Sequence, residues 1–337
     1  MRNQKIEPDA AAKNYMGINA IFADVVNTAV YAGKNVVTPE KLENAETEVT
    51  ALVYEGVDSS VTIKRLRDNR KFFTNVKGNK LSFVIYGIEN QFYLHNAIPV
   101  KNMLYDILEY VSQIDAKRKK LNEYRKSGKP KKKLKEGEFL SAWSPQDKLV
   151  PAITVVVNFS GKKWSGPTSL HEMFSYKYPD VSELIRKYIP DYKIILLDPY
   201  AMEEEEIKKM QSELKEVFQF IRASKSNRKT RKLLETEPKY RSMSSDAVVL
   251  LNACTGLSIK AEENEEGVVD MCKAFADERK AGKREGKREG KREEGAKLLG
   301  NYMKNKNVSL ETAMRDLGIP LEEKEKYLRY FKEENKK

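Results

Sequence analysis

The sequence predicts an α/β protein whose C-terminal region is mainly helical. An amphipathic helical pattern opens the chain, three strand-like runs follow, and a second helical pattern leads to a short β-branched run, Pro151 to Ser160. Helices alternating with strands in this order describe a sheet covered by helices. After about Ser224 helical periodicity dominates, which sets an expected boundary between regions 1–223 and 224–337.

Each element has its own signal. From Lys13 to Tyr31, Ile21, Phe22, Val25, Val26 and Ala29 recur at helical spacing. Gly33 and Pro39 mark the loop that follows. Thr47 to Tyr54, Val61 to Asp68 and Leu81 to Gln91 read as strands, parted by the turn-like stretches EGVDSS and TNVKGNK. Pro99 stands near the start of a second helix, Val100 to Ile114, with Met103, Leu104, Ile107, Leu108 and Val111 on one face. Residues 117–138 form a basic insertion with almost no apolar residues, which reads as a linker. Pro151 to Ser160 has the unbroken apolar character of a strand buried on both faces.

Asp180 to Ile189 is expected to be a helix and Tyr192 to Asp198 a strand. Met202 to Ser224 then reads as one helix, acidic at its start and carrying Arg222 at its end, as the helix dipole favours. Near the C-terminus the unit GKRE repeats three times over residues 282–293. Glycine at every fourth position costs a helix roughly 1 kcal/mol each against alanine, so the repeat reads as a solvated, partly helical linker. Asn307 to Phe331 reads as a helical hairpin turning at Gly318 and Pro320.

Composition narrows the function. The 337 residues carry a net charge of +12, which favours a polyanionic partner, nucleic acid first and an anionic membrane surface second. Two cysteines and two histidines, far apart, argue against a disulfide framework, a zinc site or a histidine-based nuclease. No apolar run approaches a membrane span, and residues 1–17 lack the apolar core of a secretory signal, so a cytoplasmic protein without membrane contact is expected.

The chemistry concentrates on the strand ends. Glu89 and Gln91 are two apart on one strand and project to the same side. Asp68 ends the preceding strand, and adjacent antiparallel strands would bring the three together. Two carboxylates beside an amide suit Mg²⁺ or Mn²⁺, which take oxygen ligands and keep several waters. A cation held so lowers the pKa of a bound water and offsets charge on a phosphodiester under attack.

With these residues in this order, the chain resembles the PD-(D/E)XK nuclease superfamily. Within it, the chain resembles the Rpn family of recombination-promoting nucleases, also labelled putative transposases. The resembling segments are IFADVVNTAVYAGKNVVTPEKLE, ETEVTAL, RLRDNRK, FVIYGIENQ, IPVKNMLYDILEY, the stretch from GEFLSAW to LHEMF, and the GKRE repeat; they run from about residue 16 to about 300. The resemblance implies a restriction-endonuclease-like core (helix, three strands, helix, strand) in residues 1–223 and divalent-metal-dependent DNA cleavage. It assigns Asp68 and Glu89 as metal ligands. Gln91 stands where the superfamily usually has lysine; it would orient the attacking water without supplying charge, and Lys101 is the candidate to supply it.

Asp24 occupies a place where many such nucleases carry an acid, although a solvated helix residue is the competing reading. Glu48, at the start of the first strand, is a further candidate ligand. The basic runs, with Lys129, Lys131, Lys132, Lys133, Lys225, Arg228, Lys229 and Arg231, are expected to contact DNA phosphates with a steep salt dependence. No base-reading motif is present, so sequence specificity is expected to be low, or delivered by a partner. One site per chain makes a homodimer the simplest way to cut both strands. A catalytically inactive nucleic-acid-binding or assembly protein on the same fold is the alternative, favoured by the missing lysine at position 91.

Overall fold

The computed structural model describes residues 7–54, 60–77, 80–126, 136–175, 184–265 and 267–334. The opening helical pattern folds as two helices, α1 (Pro8–Gly17) and α2 (Asn19–Tyr31), parted at Ile18, whose backbone is extended (φ −66°, ψ 126°). Pro8 starts α1, where its missing N–H costs nothing. The face of α2 predicted to be apolar is buried, with Ile21, Phe22, Val25 and Val26 each 2% exposed or less.

Five strands build the main sheet in the order β1 (Leu42–Asn44), β4 (Asn69–Lys77), β5 (Lys80–Gln91), β6 (Ala152–Asn158) and β7 (Ile195–Leu197). The first three are antiparallel and the last two add in parallel, so the sheet is mixed. The remaining strands, β2 (Glu48–Tyr54) and β3 (Ser60–Leu66), pair only with each other in a separate two-stranded sheet.

The hairpin partner of β5 is therefore β4 rather than β3, and most of the stretch TNVKGNK is strand: Thr74 to Lys77 belong to β4 and Lys80 begins β5. Strand β4 hid because its pattern is mixed: Phe72 is exposed, whereas Lys71 is buried with its ammonium held by Asn19 Oδ1 at 2.6 Å and Asn44 Oδ1 at 2.5 Å.

Helix α3 (Ile98–Lys126) carries the chain from β5 to the parallel β6, the crossover that parallel pairing requires. It continues beyond Ile114 through nearly half of the basic insertion, to Lys126; the lysines, arginines and leucine of that stretch are good helix formers. Asp115 and Arg118 pair along it at 3.5 Å. The short helix α4 (Glu136–Ser141) follows.

Part of the helix expected over Asp180 to Ile189 lies outside the described residues, and 184–186 are helical. The run Met202 to Ser224 divides into α5 (Glu204–Lys208), closed by a capping box between Glu203 and Glu206, and α6 (Leu214–Ala223). Between them Asp24 Oδ2 accepts the N–H groups of Gln211 and Ser212 and the Ser212 hydroxyl, which holds this connection out of the helix. Helices α7 (Asn227–Thr236) and α8 (Ser245–Thr255) start on Ser226 and Ser244, each side chain accepting a backbone N–H in the first turn.

The chain divides into two compact units, Met1–Met271 and Cys272–Lys337, later than the 223/224 boundary expected. The helices after Ser224 pack back on the first unit: Tyr240 donates to the Glu216 carbonyl at 2.7 Å and Ser244 N–H to Glu213 at 3.1 Å. Composition changes at 224, but the packing does not.

The second unit contains nearly all of α9 (Met271–Lys306), then α10 (Leu310–Asp316) and α11 (Lys324–Glu334), around Ala296, Leu299, Leu310, Ala313, Met314 and Tyr327. The GKRE repeat lies on α9, exposed throughout and helical from end to end. A Cβ on Gly282, Gly286 or Gly290 would meet nothing within 4 Å, whereas one on Gly295 would lie 2.8 Å from the Tyr327 hydroxyl. Among the described residues no helix is long and apolar enough to cross a membrane.

Candidate metal-dependent active site

Asp68 follows β3 and immediately precedes β4, whose first residue, Asn69, pairs with Ile88 of β5. One step further lies Glu89, and Asp68 Oδ2 accepts the N–H of Asn90 at 2.7 Å. The sheet thus brings the two carboxylates to one place, through the β4–β5 hairpin.

Glu89 is only 1% exposed. Its Oε2 accepts Lys101 Nζ of α3 at 2.9 Å, while its Oε1 is buried with no hydrogen-bond partner. Burial raises the Glu89 carboxyl to about 7, the nearby Asp68 charge adds to the rise, and Lys101 works against it. Burial also raises Asp68, opposed by the hydrogen bond from Asn90 N–H and by Lys101. Burial disfavours the Lys101 ammonium as well, but the Glu89 charge and hydrogen bond outweigh it and its net shift is upward. Lys101 Nζ also lies 5.5 Å from the centre of the Tyr105 ring. Gln91 is 8% exposed, and its Nε2 donates to its neighbour's carbonyl, Asn90 O, at 3.0 Å.

A buried polar frame fixes the neighbours of Asp68. Arg67 is fully buried, with Nη1 on Thr154 Oγ1 of β6 at 2.5 Å and Nη2 on Asp106 Oδ1 of α3 at 3.1 Å. Asp106 also accepts Thr154 Oγ1 at 2.8 Å and the Tyr192 hydroxyl at 2.6 Å. On the other side of Asp68 and Asn69, Arg70 forms a two-pronged pair with Glu109, at 2.5 and 2.8 Å. Tyr105 donates to the Leu66 carbonyl at 3.0 Å and its ring lies 5.2 Å from the Arg67 guanidinium. Gly87 is what admits Arg67: a Cβ there would sit 2.3 Å from Arg67 Nη1.

None of this frame was read from the sequence. Arg67 and Arg70 flank Asp68 in RLRDNRK and look there like ordinary surface charge; a glycine inside a strand was the one available sign of a close approach.

Asp68, Glu89, Gln91 and Lys101 are thus brought to the same end of the β4–β5 hairpin. Asp24 is not: its carboxylate is consumed in the connection before α6. Glu48 begins β2 in the separate two-stranded sheet and is exposed. Lys225, Arg228, Lys229 and Arg231 are exposed at and beyond the start of α7, with Lys225 Nζ 4.8 Å from the Tyr200 ring centre. Lys129, Lys131, Lys132 and Lys133 lie outside the described residues.

Among the described residues no group of three or more His, Cys, Asp or Glu is arranged to hold a metal ion. Two carboxylates remain, and that set fits a cation such as Mg²⁺, which is commonly held by one or two carboxylates with water and substrate oxygens filling the rest. The orphaned Glu89 Oε1 is the observation that favours this fit.

Comparison of the chain with family models, with curated proteins and with solved structures finds no match.

Proposed function

We propose that the chain is a divalent-metal-dependent DNA endonuclease of low sequence specificity, with a restriction-endonuclease-like core of the kind found in recombination-promoting nucleases. The convergence of Asp68 and Glu89, one with a buried and unpartnered oxygen, carries the reading. The two carboxylates would hold the cation, Mg²⁺ or Mn²⁺, which when bound activates water and neutralises phosphate charge. Lys101, tied to Glu89 Oε2, holds that carboxylate with Oε1 left unpartnered for the cation, and it supplies the positive charge that Gln91 lacks. The exposed cations at and beyond the start of α7 supply non-specific phosphate contacts.

One observation favours a second reading, an inactive nucleic-acid-binding protein on the same fold. Gln91 Nε2 is spent on the Asn90 carbonyl and does not reach outward to orient a water.

Supercoiled plasmid incubated with Mg²⁺, Mn²⁺, Ca²⁺ or EDTA separates the two. Cleavage with Mg²⁺ or Mn²⁺ that is lost in EDTA, and lost in folded Asp68→Ala and Glu89→Ala proteins, supports the endonuclease. Salt-sensitive DNA binding without cleavage by any metal supports the second reading. Cleavage surviving both substitutions excludes this site.

A further inference from the structure

A cleft of about 380 Å³ opens on the α1 side of Asp68, bounded by Lys13, Gly17, Asn44, Asn69 and Lys71 among others. Its size falls within the range of small-ligand sites. Two features of its lining are costly to the fold on their own. Lys71 is 2% exposed; the Asn19 and Asn44 side chains that hold its ammonium are neutral amides and its other neighbour is the Phe22 ring, 5.5 Å from Nζ to its centre, so none of these contacts gives it an anionic partner. Those two bonds use two of the three protons of the ammonium.

Asn69 is 8% exposed and donates Nδ2 to the Lys13 carbonyl in the last turns of α1 at 2.9 Å. That bond fixes which way the amide faces and leaves Oδ1 buried without a partner. Gly17 packs against this amide closely: a Cβ there would lie 3.3 Å from Asn69 Nδ2, enough to displace it by a few tenths of an ångström. A buried cation and a buried orphan acceptor in one cleft call for a ligand that is anionic at one point and an N–H or O–H donor at another. A nucleotide has both, and bare phosphate lacks the extended donor.

We propose that this cleft is a nucleotide subsite, in which Lys71 and Lys13 take a phosphate and Asn69 Oδ1 accepts an N–H from the base. That the nucleotide belongs to a DNA strand lying across Asp68 and Glu89 rests on the nuclease reading; the chemistry of the cleft does not. Asp68 also lines the cleft, so without a cation it repels the phosphate.

The full chain is titrated in EDTA with inorganic phosphate and with deoxyadenosine 5′-monophosphate, followed by calorimetry. The wild type is expected to bind the nucleotide more tightly than phosphate. Lys71→Met weakens both about tenfold or more, as loss of a hydrogen bond to a charged group implies. Asn69→Ser, which withdraws the acceptor, removes the nucleotide's advantage and leaves phosphate binding in place. Lys13→Ala, at an exposed position, weakens both ligands and tests the cleft even if Lys71→Met does not fold. Asp68→Asn tightens both.

Absence of nucleotide binding by the wild type, or unchanged binding in folded Lys71→Met and Lys13→Ala proteins, overturns the proposal. Nucleotide binding that follows this pattern without metal-dependent plasmid cleavage keeps the subsite and sinks the nuclease reading. Cleavage without nucleotide binding does the reverse.

Discussion

Replacing Glu89 with glutamine tests the electrostatics of the site apart from any activity. The Glu89 carboxyl titrates at about 7 against an ordinary 4.5, because burial and the Asp68 charge oppose its ionisation more than Lys101 assists it. A raised carboxyl pKa means that the folded state binds the proton more tightly than the unfolded chain. The ionisation penalty is therefore absent below the unfolded value, grows as pH rises from 4.5 to about 7, and is constant above that.

At about 1.4 kcal/mol per pH unit, the gap between 4.5 and about 7 amounts to about 3 kcal/mol. Glu89→Gln keeps the shape and removes the charge. Its stability relative to wild type should rise by about 2–3 kcal/mol between about pH 4.5 and about pH 8.5, measured by urea denaturation. Taking the difference between two pH values cancels any pH-independent cost of the substitution. The Lys101 side chain is 33% exposed and rehydrates when its partner is lost. Mg²⁺ added to the wild type should flatten the pH dependence, since a bound cation favours the carboxylate. A stability difference that is flat with pH, or that falls as pH rises, would show that Lys101 already compensates the buried charge.

Three further outcomes are expected. Asp24→Ala removes the acceptor of three hydrogen bonds from Gln211 and Ser212 and should cost about 2–3 kcal/mol in denaturation, while Mn²⁺ binding stays at the wild-type level in calorimetry. Gly87→Ala drives a methyl group to 2.3 Å from Arg67 Nη1, so the single variant should lose about 1–3 kcal/mol and the double variant with Arg67→Met should recover part of it. Alanine at Gly282, Gly286 and Gly290 meets open space and should raise helix content and add roughly 0.5–1 kcal/mol per position to the second unit, read by circular dichroism during thermal unfolding.

The parts of the fold legible in the sequence were those with an uninterrupted pattern. The β-branched run around Val155 is a strand buried on both faces, and the apolar stripe of α2 faces the core. Boundaries set by single tertiary contacts were not legible. The break before α6 depends on Asp24, 187 residues earlier than Gln211, and β4 is disguised by a buried lysine. The same divide runs through the site. The spacing of Glu89 and Gln91 announced itself, and so did Asp68 near a strand end. Arg67 did not, because burial of an arginine is decided by Asp106, Thr154 and the absence of a side chain at position 87.

The frame around Arg67 also has a consequence in time. Its partners lie 39 and 87 residues further along the chain, on the crossover helix and on the strand after it. A nascent chain synthesised only as far as Gln91 already carries both carboxylates and the hairpin that joins them, yet lacks the Asp106 and Thr154 side chains that hold Arg67. Arg67, next to Asp68, gains these partners only when α3 has crossed over and β6 has docked. The buried frame beside the carboxylates is thus the part of the site that closes last along the chain.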